Sequence, residues 1–345
     1  MLTEVLLLHE AATDMQVFDG DPDAVDMVDL ERPSPLRRAP LRPTPKAAPK
    51  AIHPAEPEPK VDPPLRPLVS GSLDHLRGGP MKDARVSATV PLRSVPVPYL
   101  AEVRERLVED RPWAAAEIAR IIAPLAGRDR VVLPPYLLVG GQGTSKTEGA
   151  VAIAEMLGLP TTVIPCGGLG DGMYGGTSRA YATSRMNGAG QQILGASCMT
   201  VAAVDDELDK VARSDHNGSH HAALLAMLEP TRRHAFHDPT LEAACDLSGV
   251  SFLATANSLE PLRGPFLDRL TLIPWPAPRR QDLLVVARGI LRAMRRENGL
   301  DPAWTPDLDV SELRALQGWA GGSMRPLRRA IERVVALRSD PRLAN

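Results

Sequence analysis

The hydrophobic residues of this chain fall into two rhythms. Short runs at Tyr136–Val139, Thr161–Pro165, Met199–Val204, Val250–Ala254 and Leu270–Ile273 have the length and composition of buried strands. Elsewhere apolar residues recur at helical spacing. Between Tyr99 and Ala126, Leu100, Val103 and Leu107 share one face, followed by Ile118, Ile121 and Ile122, with Pro112 starting or kinking the second part. Lys146–Leu157, His220–Leu228, Gln281–Arg296, Ser311–Ala320 and Arg325–Arg338 read as further helices. Strands that alternate with helices predict a parallel sheet covered on both faces. From Arg279 onward only helical patterns remain, so a small helical module is expected to follow an α/β domain.

Composition changes this picture mainly at the N-terminus. Sixteen of the 34 prolines lie between Pro33 and Pro98. Residues 1–31 hold nine acidic residues and no Lys or Arg, whereas residues 32–67 hold eight basic and three acidic residues. With so little apolar content to offset ordering entropy, these segments are expected to be disordered, with order beginning near Val95. Four regions are expected: an acidic segment 1–31, a Pro-rich disordered linker 32–95, an α/β nucleotide-binding domain 96–276 and an α-helical lid 277–345. The net charge of −2 argues against bulk attraction to polyanions. Cys166, Cys198 and Cys245 form no CxxC pair. The N-terminal MLTEVLLLHEAATD lacks a basic start, and no run of 18 apolar residues exists, so a cytoplasmic protein without membrane spans is expected.

The candidate chemistry sits at the ends of the strands. Tyr136–Val139 runs into Gly140-Gly141-Gln142-Gly143-Thr144-Ser145-Lys146-Thr147 and then a helix beginning with Glu148, the context of a G-x-x-x-x-G-K-[ST] phosphate loop. Glycines let backbone N–H groups turn toward an anion, and the helix N-terminus adds partial positive charge. Lys146 is expected to reach the β- and γ-phosphates of ATP and Thr147 to offer its hydroxyl to Mg²⁺. Ser145 departs from the motif, so a β-carbon must be accommodated where glycine is usual. A second strand ends in Asp205-Asp206-Glu207, which suits Asp206 to the ion and Glu207 to the attacking water. Asp205 is out of place, because an apolar residue would pack better there. A third strand ends at the polar Asn257, and ligands of doubly wound sheets bind at such carboxyl ends.

These blocks, in this order, resemble the AAA+ ATPase module of the Lon protease family. Cys166-Gly-Gly-Leu-Gly-Asp171 is similar to the family's G-G-x-x-D. Val204-Asp-Asp-Glu-Leu-Asp-Lys210 resembles D-E-I-D-K, and Leu224-Leu-Ala-Met-Leu-Glu-Pro230 resembles L-L-E-V-L-D-P. The most specific agreement is Cys245-Asp-Leu-Ser, Ala254-Thr-Ala-Asn-Ser-Leu and Pro265-Phe-Leu-Asp-Arg-Leu270, beside D-L-S, A-T-A-N-S-L and P-L-L-D-R-M. The resemblance runs from about Tyr99 to Arg338 and implies a P-loop NTPase fold of the AAA+ type: a parallel five-stranded sheet between helices, then a helical lid. It assigns Lys146 and Thr147 to Walker A and Asp206 and Glu207 to Walker B. Asn257 becomes sensor 1, Arg269 an arginine finger acting on a neighbouring subunit, Arg325 sensor 2 and Tyr181 the gripping aromatic of a pore loop within 167–190.

The resemblance implies Mg·ATP hydrolysis in a homo-oligomeric ring, a hexamer in the family, that remodels a protein substrate and could hand it to a separate protease. The family's peptidase domain has no counterpart here, so no peptidase activity is expected of this chain. Gly141-Gln142 replaces the family's Pro-Pro, and a small residue before the lysine also occurs in MoxR-type ATPases. Two other classes remain: a slow-turnover, ATP-dependent scaffold, and a nucleic-acid motor using the Arg-rich C-terminal helices, which ranks last. His216, His220, His221, His234 and His237 fit no usual zinc spacing and are expected at helix edges and in loops.

Overall fold

The computed structural model describes residues 62–76, 82–167, 173–181, 183–211, 219–262 and 264–338. The acidic segment 1–31, most of the Pro-rich linker and His216 lie outside them, as does part of the glycine-rich block after Cys166.

Five strands form one parallel sheet: β1 (Tyr136–Val139), β2 (Thr161–Pro165), β3 (Val201–Asp206), β6 (Val250–Ala256) and β7 (Thr271–Pro274). Their order is β2-β3-β6-β1-β7, with every neighbouring pair parallel. All seven residues of β6 are buried, as expected for a strand covered on both faces. A short antiparallel hairpin of β4 (Phe236–Asp238) and β5 (Ala243–Cys245) lies apart from this sheet. The helices are α1 (Lys82–Thr89), α2 (Leu100–Asp110), α3 (Ala115–Ile122), α4 (Lys146–Met156), α5 (Gly188–Ala196), α6 (His220–Leu228), α7 (Gly264–Leu267), α8 (Leu283–Asn298), α9 (Val310–Ala315) and α10 (Met324–Arg338).

The two long C-terminal helices each bury one stripe. Helix α8 buries Val286, Ala287, Ile290, Leu291 and Met294, and α10 buries Leu327 and Ile331. These side chains join Ile118, Ile121, Ile153 and Trp275 in one apolar core. Asp309 and Glu312 form a capping box at the start of α9, and Gly299, at φ 61°, ends α8.

The register brings three strand ends to one edge. Val139 of β1 pairs with Ala256 of β6, and Asp205 of β3 pairs with Ala254. Gly140, Asp206 and Asn257 follow directly at that edge.

Several expectations are corrected. β3 starts two residues later than the apolar run and continues through Asp205 and Asp206. β6 extends to Ala256. The stretch Ser311–Ala320 divides into α9 and a 3₁₀ turn, Leu316–Gly318. Order also begins well before Val95: Leu68, Val69, Leu73 and Leu76 are buried with Val201, Phe252 and Leu228 in a second apolar core. Arg66 bridges Leu92, Val69 N–H donates to Ala88 O at 2.9 Å, and Asp246 N–H donates to Leu68 O at 2.7 Å. Composition averaged over the Pro-rich stretch hid a local apolar cluster, and Pro63, Pro64 and Pro67 favour the extended backbone that lays it down.

Candidate functional site

At the carboxyl edge of the sheet, the loop from β1 turns into α4. Ser145, the last loop residue, adopts φ 60°, ψ 33°. This left-handed conformation explains why glycine is usual there, and the serine tolerates it with a strain of roughly 1–2 kcal/mol. Its hydroxyl is buried without a hydrogen-bond partner among the described residues. Gly140 and Gly149 are required by close approach, since a β-carbon on either would meet Trp275, at 2.5 Å from its carbonyl oxygen and 2.4 Å from its ring. The Trp275 indole also donates to Thr144 O at 3.2 Å, so this tryptophan buttresses the loop from the strand beyond it.

Lys146 is 7% exposed. Its ammonium donates to Gly140 O (2.9 Å), Gly141 O (2.8 Å) and Asn257 Oδ1 (2.8 Å). Burial pulls its pKa below the ordinary lysine value, against the opposing pull of Asp209, Asp206 and Glu207. Thr147 Oγ1 donates to Asp206 Oδ1 at 2.5 Å. Thr255 Oγ1 donates to the same oxygen at 2.7 Å and accepts from Glu207 N–H at 3.0 Å. Glu207 itself sits at φ 56°, its carboxylate 2.6 Å from Lys210 Nζ. Asp209 accepts from the N–H groups of Asn257 (3.2 Å) and Ser258 (3.3 Å), tying β6 to the turn after β3.

Lys146, Thr147, Asp206, Glu207, Thr255 and Asn257 line a cleft of about 1040 Å³ whose other wall is helical. Arg325 and Arg328 of α10 and Arg292 and Arg296 of α8 face the loop across it. Met324 N–H donates to Gly143 O at 2.7 Å, and a β-carbon on Gly143 would meet Ser323 Oγ at 2.3 Å. The start of α10 therefore rests directly on the glycine-rich loop. Oxygen donors at Thr147 and Asp206, a buried ammonium and several guanidinium groups form a site suited to a polyphosphate with a hard divalent ion.

Of the residues singled out in the sequence, Gly143 to Glu148, Asp206, Glu207, Asn257 and Arg325 line this one cleft. Gly140 and Gly141 contribute carbonyls beneath Lys146, and Gln142 is exposed at the loop tip. Arg269 is not among the lining residues. It donates to Glu229 Oε2 through Nε (3.1 Å) and Nη2 (2.5 Å) and to Pro265 O through Nη1 (3.1 Å). This hydrogen bonding holds the Glu229 carboxyl below the usual range. Tyr181 lies outside the cleft in a turn and is 66% exposed.

Sequence reasoning missed Thr255, Trp275 and Asp209. Thr255 was marked by a polar side chain inside a mostly apolar strand. Trp275 carried no signal, because its role depends on the packing of β7 beside β1. The histidines divide: His234 and His237 are exposed, and His221 is hydrogen bonded to Leu208 O at 3.0 Å. His220, expected at a helix edge, is instead 1% exposed and lies 3.0 Å from Asp205. The misplaced aspartate in β3 is what draws it inward.

Residues 136–274 match the ATPase family associated with various cellular activities (AAA). The chain is 31% identical to a Lon protease of Mycolicibacterium smegmatis over 69% of this chain and 30% of that protein. It is 35% identical to a Lon protease of Frankia alni over 68% of this chain and 27% of that protein. Alignment to a Lon protease of Methylocella silvestris reaches 96% of this chain and 40% of that protein, at 28% identity. The matches thus span between about a quarter and two fifths of these relatives' lengths.

Proposed function

Because the chain carries an AAA+ ATPase module of the Lon-like kind, we propose that it binds Mg·ATP in the cleft between the sheet edge and the C-terminal helices and uses hydrolysis to remodel a protein substrate. The observation that carries this reading is the convergence of Lys146, Thr147, Asp206, Glu207, Asn257 and Arg325 on one cleft. On this reading residues 96–276 form the nucleotide-binding domain and residues 277–345 the lid. Peptide-bond cleavage forms no part of the proposal.

Each role rests on the chemistry of its group. Lys146, held by two loop carbonyls and Asn257, exchanges these partners for phosphate oxygens, a charge-assisted and stronger interaction. Thr147 and Asp206 would hold Mg²⁺, which supplies charge neutralisation on the phosphates. Thr255 orients the Asp206 carboxylate and fixes the Glu207 backbone, aiming the Glu207 side chain as base toward water. Asn257, once released by Lys146, helps position that water. Arg325 reaches the phosphates from α10, so nucleotide state biases how the lid rests on Gly143. Arg269, outside its own cleft, serves the site of an adjacent copy in a ring, where an arginine supplied in trans is worth ~10³–10⁵ in rate. Tyr181, exposed, grips the polypeptide.

Steady-state ATPase per subunit, measured across protein concentration for wild type and Glu207→Gln, tests the reading. Activity per subunit is expected to rise with concentration and to fall by at least about a hundredfold in the variant, a loss typical of removing a general base, while ATP binding is kept. Background activity in the wild type at all concentrations, despite ATP binding, would favour the nucleotide-gated scaffold instead.

A further inference from the structure

Three chemically reactive side chains meet behind the Walker B strand, away from the nucleotide cleft. Cys166 follows β2, Asp205 lies in β3, and His220 opens α6. They are respectively 0%, 0% and 1% exposed. Cys166 Sγ is 3.6 Å from His220 Nε2 and 3.8 Å from Asp205 Oδ1, and the last two atoms are 3.0 Å apart. Asp205 Oδ2 is buried and has no hydrogen-bond partner among the described residues. The Tyr174 ring covers His220, with 5.0 Å between ring centroids.

A nucleophilic Cys–His–Asp arrangement is excluded by the ring geometry. Such a triad uses both imidazole nitrogens, one toward sulfur and the other toward the carboxylate. Here the same Nε2 faces both. Convergence of sulfur, nitrogen and oxygen on one point is instead the arrangement of a metal centre. Zn–S of about 2.3 Å, Zn–N of about 2.0 Å and Zn–O of about 2.1 Å at tetrahedral angles put S···N, S···O and N···O roughly 3.5, 3.6 and 3.4 Å apart. The observed triangle matches to within about 0.4 Å of these separations, and its one short edge, N···O at 3.0 Å, need only open slightly.

We propose that Cys166, Asp205 and His220 bind one zinc ion, with a water completing the tetrahedron. The donor set selects zinc over magnesium, because thiolate and imidazole suit borderline ions, whereas Mg²⁺ takes oxygen ligands. Three elements distant in sequence, the segment after β2, β3 and α6, are thereby tied together. Cys166 N–H also donates to Asp206 O at 2.9 Å, so the ion braces the strand end from which Asp206 and Glu207 project. The site accounts for both a fully buried aspartate in β3 and a histidine inside the fold. It stands independently of ATP hydrolysis, since its test requires no nucleotide.

The test is metal content of the purified chain after loading with Zn²⁺ and passage over a chelating resin, by mass spectrometry, for wild type, Cys166→Ser, His220→Gln and Cys198→Ser. The expected result is one zinc per chain in wild type and Cys198→Ser, and less than a tenth of that in the other two. Cobalt substitution of the wild type supplies an independent readout should those two variants fail to fold: a thiolate-to-cobalt charge-transfer band is expected, and it should be present in Cys198→Ser. Folded wild-type protein that retains no stoichiometric zinc, zinc retained in full by Cys166→Ser and His220→Gln, or a cobalt spectrum without a thiolate band would each overturn the proposal.

Discussion

Ser145 shows how one side chain can depart from a motif while the backbone obeys it. The loop demands a left-handed residue, and the serine supplies it at φ 60° with its hydroxyl buried and unpartnered among the described residues. Replacing it by glycine removes the strain and the orphaned hydroxyl, against the opposing effect of a more flexible unfolded chain. Ser145→Gly is therefore expected to be stabilised by up to about 1 kcal/mol in urea unfolding. Ser145→Val, whose branched side chain is a poor fit to a positive φ, is expected to lose at least about 1–2 kcal/mol. A glycine variant less stable than wild type would show that the serine carries no such strain. Thr255 is the complementary case, since a single hydroxyl serves both Asp206 and the backbone of Glu207.

Among the elements, the C-terminal helices depend on charge as well as on their apolar stripes. Arg338 of α10 pairs with Glu312 of α9 at 2.5 Å, both side chains being mostly buried. The hydrogen bond from Arg338 holds the Glu312 pKa below its ordinary value. A carboxylate depressed by folding contributes stability above its unfolded pKa, and that contribution is lost as pH falls through the folded one. The gap in melting temperature between wild type and Glu312→Gln should thus be open near neutral pH and close as pH drops below about 4, the ordinary glutamate range. A gap that stayed constant through acid would mean that Glu312 acts through packing alone. At this scale the apolar pattern was a good guide where helices bury a stripe. It missed α5, whose sequence Gly-Ala-Gly-Gln-Gln-Ile-Leu-Gly-Ala is capped by Asn187 and has little periodicity. It also missed the segment from Leu68 to Leu76, whose burial depends on partners in β6 and α6.

For the whole molecule, the position of Arg269 makes a prediction that no single subunit can meet. On the proposed reading, an Arg269→Ala subunit keeps an intact cleft and lacks the residue its neighbour needs, whereas Glu207→Gln has the reverse defect. Each variant alone should be inactive, and an equimolar mixture should regain a measurable fraction of wild-type ATPase, because some interfaces then pair an intact cleft with an intact arginine. A mixture as inactive as its components would place Arg269 in a structural role, anchoring Glu229 within its own chain.

The five strands of the sheet and the longer helices between and after them, the glycine-rich loop and the polar ends of β3 and β6 were legible in the sequence, because apolar runs, glycine spacing and strand-terminal polar residues are local properties of the chain. So was the presence of an Asp205 that packing did not require. Tertiary structure alone decided the contacts between distant segments: Trp275 beneath the loop, Thr255 beneath Asp206, Met324 against Gly143, the buried Leu68 segment, and Cys166 and His220 converging on Asp205. Each depends on the parallel register of the sheet and on which elements cover its faces, information that no stretch of sequence carries alone.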